Sequence, residues 1–423
     1  MSLAERDAKV IWHPYTQMKN PLPHVPIVRG EGVYLYDESG KKYIDAVSSW
    51  WVNIHGHAHP HIAAKVAEQL NTLEHVIFAG FTHEPAVQLA ERLLPLLPGG
   101  GQTKVFYSDN GSTAVEVALK MCLQYWVNTG KQVRKKVIAF KEAYHGDTFG
   151  AMSVSGRSIF TDPFNQMLFD VDFIELPNAN NIEQLKSRIN YLSNEVACFI
   201  FEPMVLGASG MLMYEAQYLD QLIDTCQKHG ILTIADEVMT GFGRTGKYFS
   251  CEALTVKPDI FCLSKGLTGG TMPLGVTTCN SKIFDAFLSD DKLKTLYHGH
   301  SFTANPVACA ASLASLDILL KPETLLNIKR IEAMHANFAE SIKDHPKLKA
   351  VRQAGTILVM EWETGTDTSY LSGLRDRLYL YFLERGIVLR PLGNILYILP
   401  PYVISNEDLV YIYQTILQAL KDI

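Results

Sequence analysis

Lys265 closes the apolar run Ile260-Phe261-Cys262-Leu263-Ser264 and is followed at once by Gly266-Leu267-Thr268-Gly269-Gly270. The run reads as a buried strand and the glycines as a tight, exposed turn, which sets an amine at a strand's carboxyl end inside a crevice. Twenty-nine residues upstream, a second apolar run, Ile231-Leu232-Thr233-Ile234-Ala235, ends in Asp236-Glu237. A desolvated lysine has a lowered pKa and acts as a nucleophile or Schiff-base former near neutral pH. A carboxylate beside it can keep a cofactor's ring nitrogen protonated. A lysine that caps its strand and pairs with Asp236 is the plain alternative.

Three further segments place functional groups at strand ends. Asp109-Asn110-Gly111-Ser112-Thr113 joins a strand ending at Tyr107 to a helix beginning near Ser112. Free amides, a hydroxyl and the positive end of the helix dipole meet there, so the segment is either an anion site, for phosphate, or an ordinary N-capped turn. Tyr144-His145-Gly146-Asp147 follows the strand ending at Phe140 and offers an aromatic that stacks on a flat ring or lines a rim. Glu202-Pro203 ends the strand Cys198-Phe199-Ile200-Phe201, where the carboxylate is functional or a strand-end cap.

Two other patterns lack their chemical context. Gly241-Phe242-Gly243-Arg244-Thr245-Gly246 satisfies G-x-G-x-x-G, but Lys247-Tyr248-Phe249-Ser250-Cys251 does not open a helix. Tyr248 also stands where a phosphate-binding loop needs its magnesium-binding Ser or Thr. His55-Gly56-His57-Ala58-His59-Pro60-His61 has no cysteine or strand-end carboxylate spaced to complete a metal site, so these histidines read as structural and no metal is expected.

The elements that must hold these residues alternate in period. Helical spacing covers residues 61–73, 84–97 and 112–126. Strands are expected at 104–107, 136–140, 197–201, 231–235, 260–263 and 275–279, and apolar strands separated by helices argue for a mostly parallel sheet covered on both faces. Residues 1–30 read as an irregular arm and 33–45 as a hairpin. Residues 1–48 are therefore assigned to an arm and hairpin that join a small domain, 49–320 to a large domain, and 321–423 to a small α+β domain. The chain of 423 residues is 47% hydrophobic and carries a net charge of −6, which gives no reason to expect nucleic acid or a membrane as partner. Seven scattered cysteines read as buried free thiols of a cytoplasmic enzyme.

Together, Gly111-Ser112, Tyr144-His145-Gly146, Asp236-Glu237-Val238, the Gly241–Gly246 run and Ser264-Lys265-Gly266 resemble the class III aminotransferases over nearly the whole chain. The resemblance implies the α/β, type I pyridoxal-phosphate fold: a large domain with a mostly parallel sheet, a small domain built from both termini, and a homodimer with active sites at its interface. Trp12-His13-Pro14-Tyr15-Thr16, Ser48-Ser49-Trp50-Trp51, Ile54-His55-Gly56 and Arg390-Pro391-Leu392-Gly393, with Tyr397 and Pro400-Pro401, are similar to the branch that aminates 8-amino-7-oxononanoate in biotin biosynthesis.

By that resemblance Lys265 holds pyridoxal 5'-phosphate as a Schiff base and then shuttles a proton. Asp236 keeps the ring nitrogen protonated. Gly111 and Ser112 cradle the phosphate, which His300 and Ser301 reach from a partner subunit. Tyr144 stacks on the ring and Val238 packs its other face. Trp50 and Trp51 give an apolar wall to a nine-carbon chain, and Arg390 pairs with its carboxylate. Tyr15 joins Lys265 as a catalytic residue by helping to position the substrate, and Tyr144, Tyr397 and the backbone of Gly299 complete the substrate site. After His298-Gly299, members that use adenosylmethionine as amino donor are expected to carry Pro-Thr. His300-Ser301 is similar to relatives that take lysine, while Tyr15 and the paired tryptophans favour adenosylmethionine.

Overall fold

The computed structural model describes residues 1–365, 370 and 372–423. In chain order its strands are β1 (Ile27–Glu31), β2 (Tyr34–Asp37), β3 (Lys42–Asp45), β4 (Gln102–Ser108), β5 (Lys136–Phe140), β6 (Val171–Ile174), β7 (Val196–Phe201), β8 (Val205–Leu206), β9 (Leu212–Met213), β10 (Leu232–Asp236), β11 (Ile260–Leu263), β12 (Gly275–Asn280), β13 (Leu348–Ala354), β14 (Ile357–Trp362), β15 (Ile387–Val388) and β16 (Ile395–Ile398).

Seven of these make the central sheet in the order β4-β12-β11-β10-β7-β5-β6. The pairs β11–β10, β10–β7, β7–β5 and β5–β6 are parallel, whereas β12 runs antiparallel to both β11 and β4. Every residue of β7, β10 and β11 is buried. Their alternate side chains feed two cores: Cys198, Ile200 and Ile234 pack on one face, Phe199, Phe201 and Ala235 on the other. That two-sided burial explains why these strands are apolar throughout rather than alternating. Lys265 and Asp236 therefore emerge at the carboxyl ends of adjacent parallel strands, where α/β sheets gather ligands.

A second sheet has the order β1-β2-β3-β15, with β15 parallel to β3 through Ile387 opposite Ile44 and Val388 opposite Asp45. A third, β13-β14-β16, is antiparallel, and β14 and β16 are buried at every position. Among the described residues, no helix is long and apolar enough to cross a membrane.

Three local expectations are corrected. The arm is not wholly irregular: Leu3–Val10 is helical, started by a capping box in which Ser2 and Glu5 exchange hydrogen bonds with each other's amides. The turn after Lys265 is buried, not exposed. Residues Lys265–Thr268 form a 3-10 turn beneath the helix Pro306–Leu319, whose Ser315 hydroxyl donates to the Gly266 carbonyl at 3.2 Å. Strands β13 and β16 went unread because β13 buries only Leu348 and shows no alternation, and β16 is only four residues long.

Candidate active site

The cleft forms where β10 and β11 end opposite the start of the helix Gly111–Asn128. Asn110 caps that helix through Thr113 N (3.0 Å), which leaves the Gly111 and Ser112 amides with no intrahelical acceptor. The loop bearing Tyr144 and His145 closes on this end: Asp147 N donates to Ser112 Oγ at 3.2 Å. Gly146 is required for that approach, because its φ is +136° and a Cβ there would lie 2.0 Å from Ser112 Oγ. Across the cleft, a Cβ on Gly111 would meet Val238 at 2.6 Å.

A cavity of about 410 Å³ is lined by Gly111, Ser112, Tyr144, Asp236, Val238 and Lys265, with Trp51, His145 and Glu202 on its wall. The structure thus brings together six of the sequence-derived cofactor positions. Burial pushes the Lys265 amine down to about 8, a shift that Asp236 and then Glu202 oppose by their charges. Among the described residues, Lys265 Nζ has no hydrogen-bond or ion-pair partner and stands 4.7 Å over the Trp51 ring. The expected alternative, a lysine paired with Asp236, is not what the geometry shows. Asp236 is engaged elsewhere: its Oδ2 accepts from His145 Nδ1 at 2.6 Å and its Oδ1 from Val238 N at 3.1 Å.

Glu202 accepts the Tyr144 amide (3.0 Å) and the Gly207 amide (2.9 Å). Burial pushes its carboxyl up to about 7. Glu237 is spent on structure, accepting Thr240 Oγ1 and the amides of Ser250 and Cys251.

A second cavity, of about 490 Å³, is lined by His13, Tyr15, Trp50, Tyr379 and Arg390, and its Tyr15 hydroxyl lies 3.4 Å from that of Tyr144 in the first. The Arg390 guanidinium lies 4.2 Å over the Trp50 ring, and Tyr15 meets Trp50 edge-on at 5.6 Å. Tyr15 donates to Asp147 Oδ2 at 2.6 Å, and burial followed by this bond pushes its hydroxyl up to about 12.

Three groups of positions fall elsewhere. Tyr397 is fully buried behind the wall, where its hydroxyl accepts Trp51 Nε1–H at 3.0 Å, so it supports Trp51 rather than facing either cavity. Gly299, His300 and Ser301 line neither cavity of their own chain. The histidine run disperses: His55 meets Ser315, His57 meets Asp45, and His61 meets Asp317. Among the described residues, the group with metal-ligand spacing is instead Asp7, His13 and His24 in the arm, where both histidines hydrogen-bond to Asp7.

Sequence reasoning missed Arg244, the largest fully buried side chain among the described residues, which lies inside the Gly241–Gly246 run. Its guanidinium donates to the carbonyls of Pro400, Trp51 and Asn53 at 3.0, 3.2 and 3.3 Å and so ties the tryptophan segment to the C-terminal region. An arginine amid apolar residues and glycines was the available signal.

Residues 15–420 match the family Aminotransferase class-III. The chain belongs to the class-III aminotransferases. Among the relatives of this class-III chain is the adenosylmethionine-8-amino-7-oxononanoate aminotransferase of Synechococcus elongatus, 46% identical, covering 98% of this chain and 99% of that protein. The enzyme of the same name from Geobacter sulfurreducens is 39% identical over 97% of this chain and 95% of its own length. The crystal structure of the Methanocaldococcus jannaschii enzyme of that name superposes with a TM-score of 0.95 at 38% identity, covering 99% of this chain and 98% of that one. An omega transaminase from Pseudomonas jessenii, solved in complex with PMP, gives 0.93 at 28% identity over 100% and 98% of the two chains.

The cofactor of this family is pyridoxal 5'-phosphate, and the cleft fits it. Two unpaired amides and a hydroxyl at a helix start suit a phosphate; a shifted, unpartnered lysine suits a carbonyl; and a carboxylate fixed by His145 suits a protonated ring nitrogen.

Proposed function

We propose that this class-III aminotransferase moves an amino group from adenosylmethionine to 8-amino-7-oxononanoate, giving 7,8-diaminononanoate for biotin biosynthesis, and that it works as a cytoplasmic homodimer. The observation that carries the acceptor is Arg390 over Trp50: a fixed guanidinium at the end of an aromatic wall suits a carboxylate borne on a long apolar chain. Full-length relatives bearing that activity in their names support the same reading.

Pyridoxal 5'-phosphate, when bound, supplies the electron sink that lets a proton leave the carbon bearing the amino group. The protein's residues do the rest. Gly111 and Ser112 would hold the phosphate, and Asp236, oriented by His145 and Val238 N, would hold the proton on the ring nitrogen. Tyr144 and Val238 would fix the two faces of the ring. An amine that titrates near 8 is present in both protonation states at neutral pH, so Lys265 accepts a proton at Nζ and returns it to another carbon. Trp50 and Trp51 exclude water from the acceptor's chain while Arg390 pairs with its carboxylate, and Tyr15, held by Asp147, limits where the substrate lies. That Gly299, His300 and Ser301 line neither cavity of their own chain supports their serving a partner's site.

One feature favours a second donor: His300-Ser301 is similar to lysine-using relatives. The test is a half-reaction screen on purified holoenzyme. Adenosylmethionine should abolish the visible band of the bound cofactor and 8-amino-7-oxononanoate should restore it. If lysine alone discharges the band, the donor assignment changes. If ornithine or 4-aminobutyrate does so and neither expected donor does, the proposed function is wrong.

A further inference from the structure

Four consecutive residues that carry side chains, Ser48, Ser49, Trp50 and Trp51, have φ angles of 52°, 50°, 89° and 71°. Left-handed backbone crowds Cβ against the following carbonyl, so a run of four non-glycine residues persists only where the surroundings impose it. The support at the start of the run converges on Asp45, which is fully buried at the end of β3. Its Oδ1 accepts the amides of Val47 (3.2 Å) and Ser49 (3.0 Å). Its Oδ2 accepts the Ser49 hydroxyl and His57 Nε2–H, both at 2.9 Å.

His57 is held in turn. Asn53 Nδ2 donates to its Nδ1 at 3.2 Å, which demands the same tautomer as the Asp45 bond. Gly30 opposite leaves it room, since a Cβ there would sit 2.7 Å from the His57 Cβ. Asp45 thus has four donors for its two oxygens, which uses the full accepting capacity of a carboxylate. The product of this arrangement is placement. Trp50 is set under Arg390 in one cavity, while Trp51 is set under Lys265 in the other. Neither Asp45 nor His57 lines either cavity.

We infer that the Asp45–His57 pair is a positioning device that locks the left-handed turn and so fixes Trp50 against the Arg390 guanidinium, making it a determinant of how well the enzyme binds its oxo acid. The inference rests on the proposed function for the identity of that acid. A turn freed to leave the left-handed region would carry Trp50 away from Arg390, whereas Trp51, anchored separately by Tyr397 and Arg244, would shift less beside Lys265.

The test uses holoenzyme with His57→Leu, His57→Gln, Asp45→Asn and the double variant Asp45→Asn/Ser49→Gly. Two quantities are read: KM and kcat for 8-amino-7-oxononanoate, and the near-ultraviolet circular dichroism of the tryptophans without substrate. His57→Leu and Asp45→Asn should raise KM about tenfold with kcat little changed, the loss expected when one buried charge-assisted hydrogen bond goes, and should weaken the tryptophan signal. His57→Gln, whose amide still donates to Asp45, should stay near wild type. Glycine at position 49 should recover much of the loss in the Asp45→Asn background, because glycine adopts left-handed backbone without Cβ crowding. The inference is overturned if KM and the tryptophan signal are unchanged in both His57→Leu and Asp45→Asn, if the defect falls on kcat alone, or if glycine gives no recovery. Wild-type turnover of 8-amino-7-oxononanoate tests the proposed function separately, and the tryptophan signal needs no substrate, so the two failures are distinguishable.

Discussion

Burial pushes the Lys265 amine down to about 8, well below the 10.5 of an ordinary lysine. At pH 7 about one amine in ten is then neutral, against about one in three thousand for an unperturbed lysine, a ratio of about 300. The sign follows from the cause. Burial disfavours the charged form, so the neutral nucleophile appears as pH rises through about 8, and Asp236 works against that by favouring the ammonium. Replacing the carboxylate by Asp236→Asn removes this opposition and should move the midpoint further down. The assay is competitive acetylation of the cofactor-free protein from pH 6 to pH 11 with trace anhydride, quantified by mass spectrometry on the peptide containing Lys265, with exposed lysines such as Lys65 as internal reference. The expected curve for Lys265 is half-complete near pH 8, while the reference peptides are still rising beyond pH 10. A Lys265 midpoint near 10.5, or an upward move in Asp236→Asn, would refute the assignment of the shift to burial opposed by Asp236.

Three other outcomes follow from the same geometry. The Glu202 carboxyl is held up to about 7, so its contribution to stability is fully present below the unfolded value near 4.5 and lost as pH rises through 7; Glu202→Gln should flatten the urea-unfolding profile between pH 5 and 9 by about 3 kcal/mol at most. Gly146→Ala forces a Cβ onto Ser112 Oγ in left-handed backbone; at about 2 kcal/mol this weakens binding of pyridoxal 5'-phosphate about thirtyfold in an absorbance titration of the cofactor-free protein. Arg390→Met should raise KM for 8-amino-7-oxononanoate by about thirtyfold or more, while the rate of the donor half-reaction holds in stopped-flow absorbance; equal losses in both half-reactions would place Arg390 outside acceptor binding.

Much of the cleft was legible because its residues sit where apolar strands stop. Lys265, Asp236 and Glu202 each follow a largely apolar run, broken at most by one small hydroxyl (Ser264 or Thr233), and a charged group in that position has few roles open to it. The start of the helix at Gly111 was legible for a similar reason, since Asn-Gly-Ser-Thr supplies a cap and a close approach together. Residues whose meaning depends on distant partners were harder to read. Nothing near Tyr397 shows that its hydroxyl accepts from Trp51, 346 positions away, and nothing near Arg244 shows that its carbonyl partners lie 156 to 193 positions away. The strain at Ser48–Trp51 was invisible too, because serine and tryptophan are not left-handed formers and it takes Asp45 together with distant Leu399, Tyr397 and Arg244 to hold them there. The antiparallel β12 was hidden because a buried strand looks the same in either direction.

The parallel pairing of β3 with β15 has a consequence for how the enzyme is made. Asp45 lies opposite Val388, so a strand near the start of the chain completes its sheet only with residues from its last tenth. On the ribosome, the strands that build the central sheet, and with them Lys265 and Asp236, have all emerged while β15 and Arg390 are still unsynthesised. Domains fold in the order they emerge, so the strand ends that carry Lys265 and Asp236 can pair on a nascent chain that still lacks the partner strand of β3 and the Tyr397 and Pro400 contacts around Trp51. A chain stopped short of residue 387 would keep the paired ends of β10 and β11 but lack Arg390, Tyr397 and Pro400, so the tryptophan segment is the last part of the cleft to be set in place.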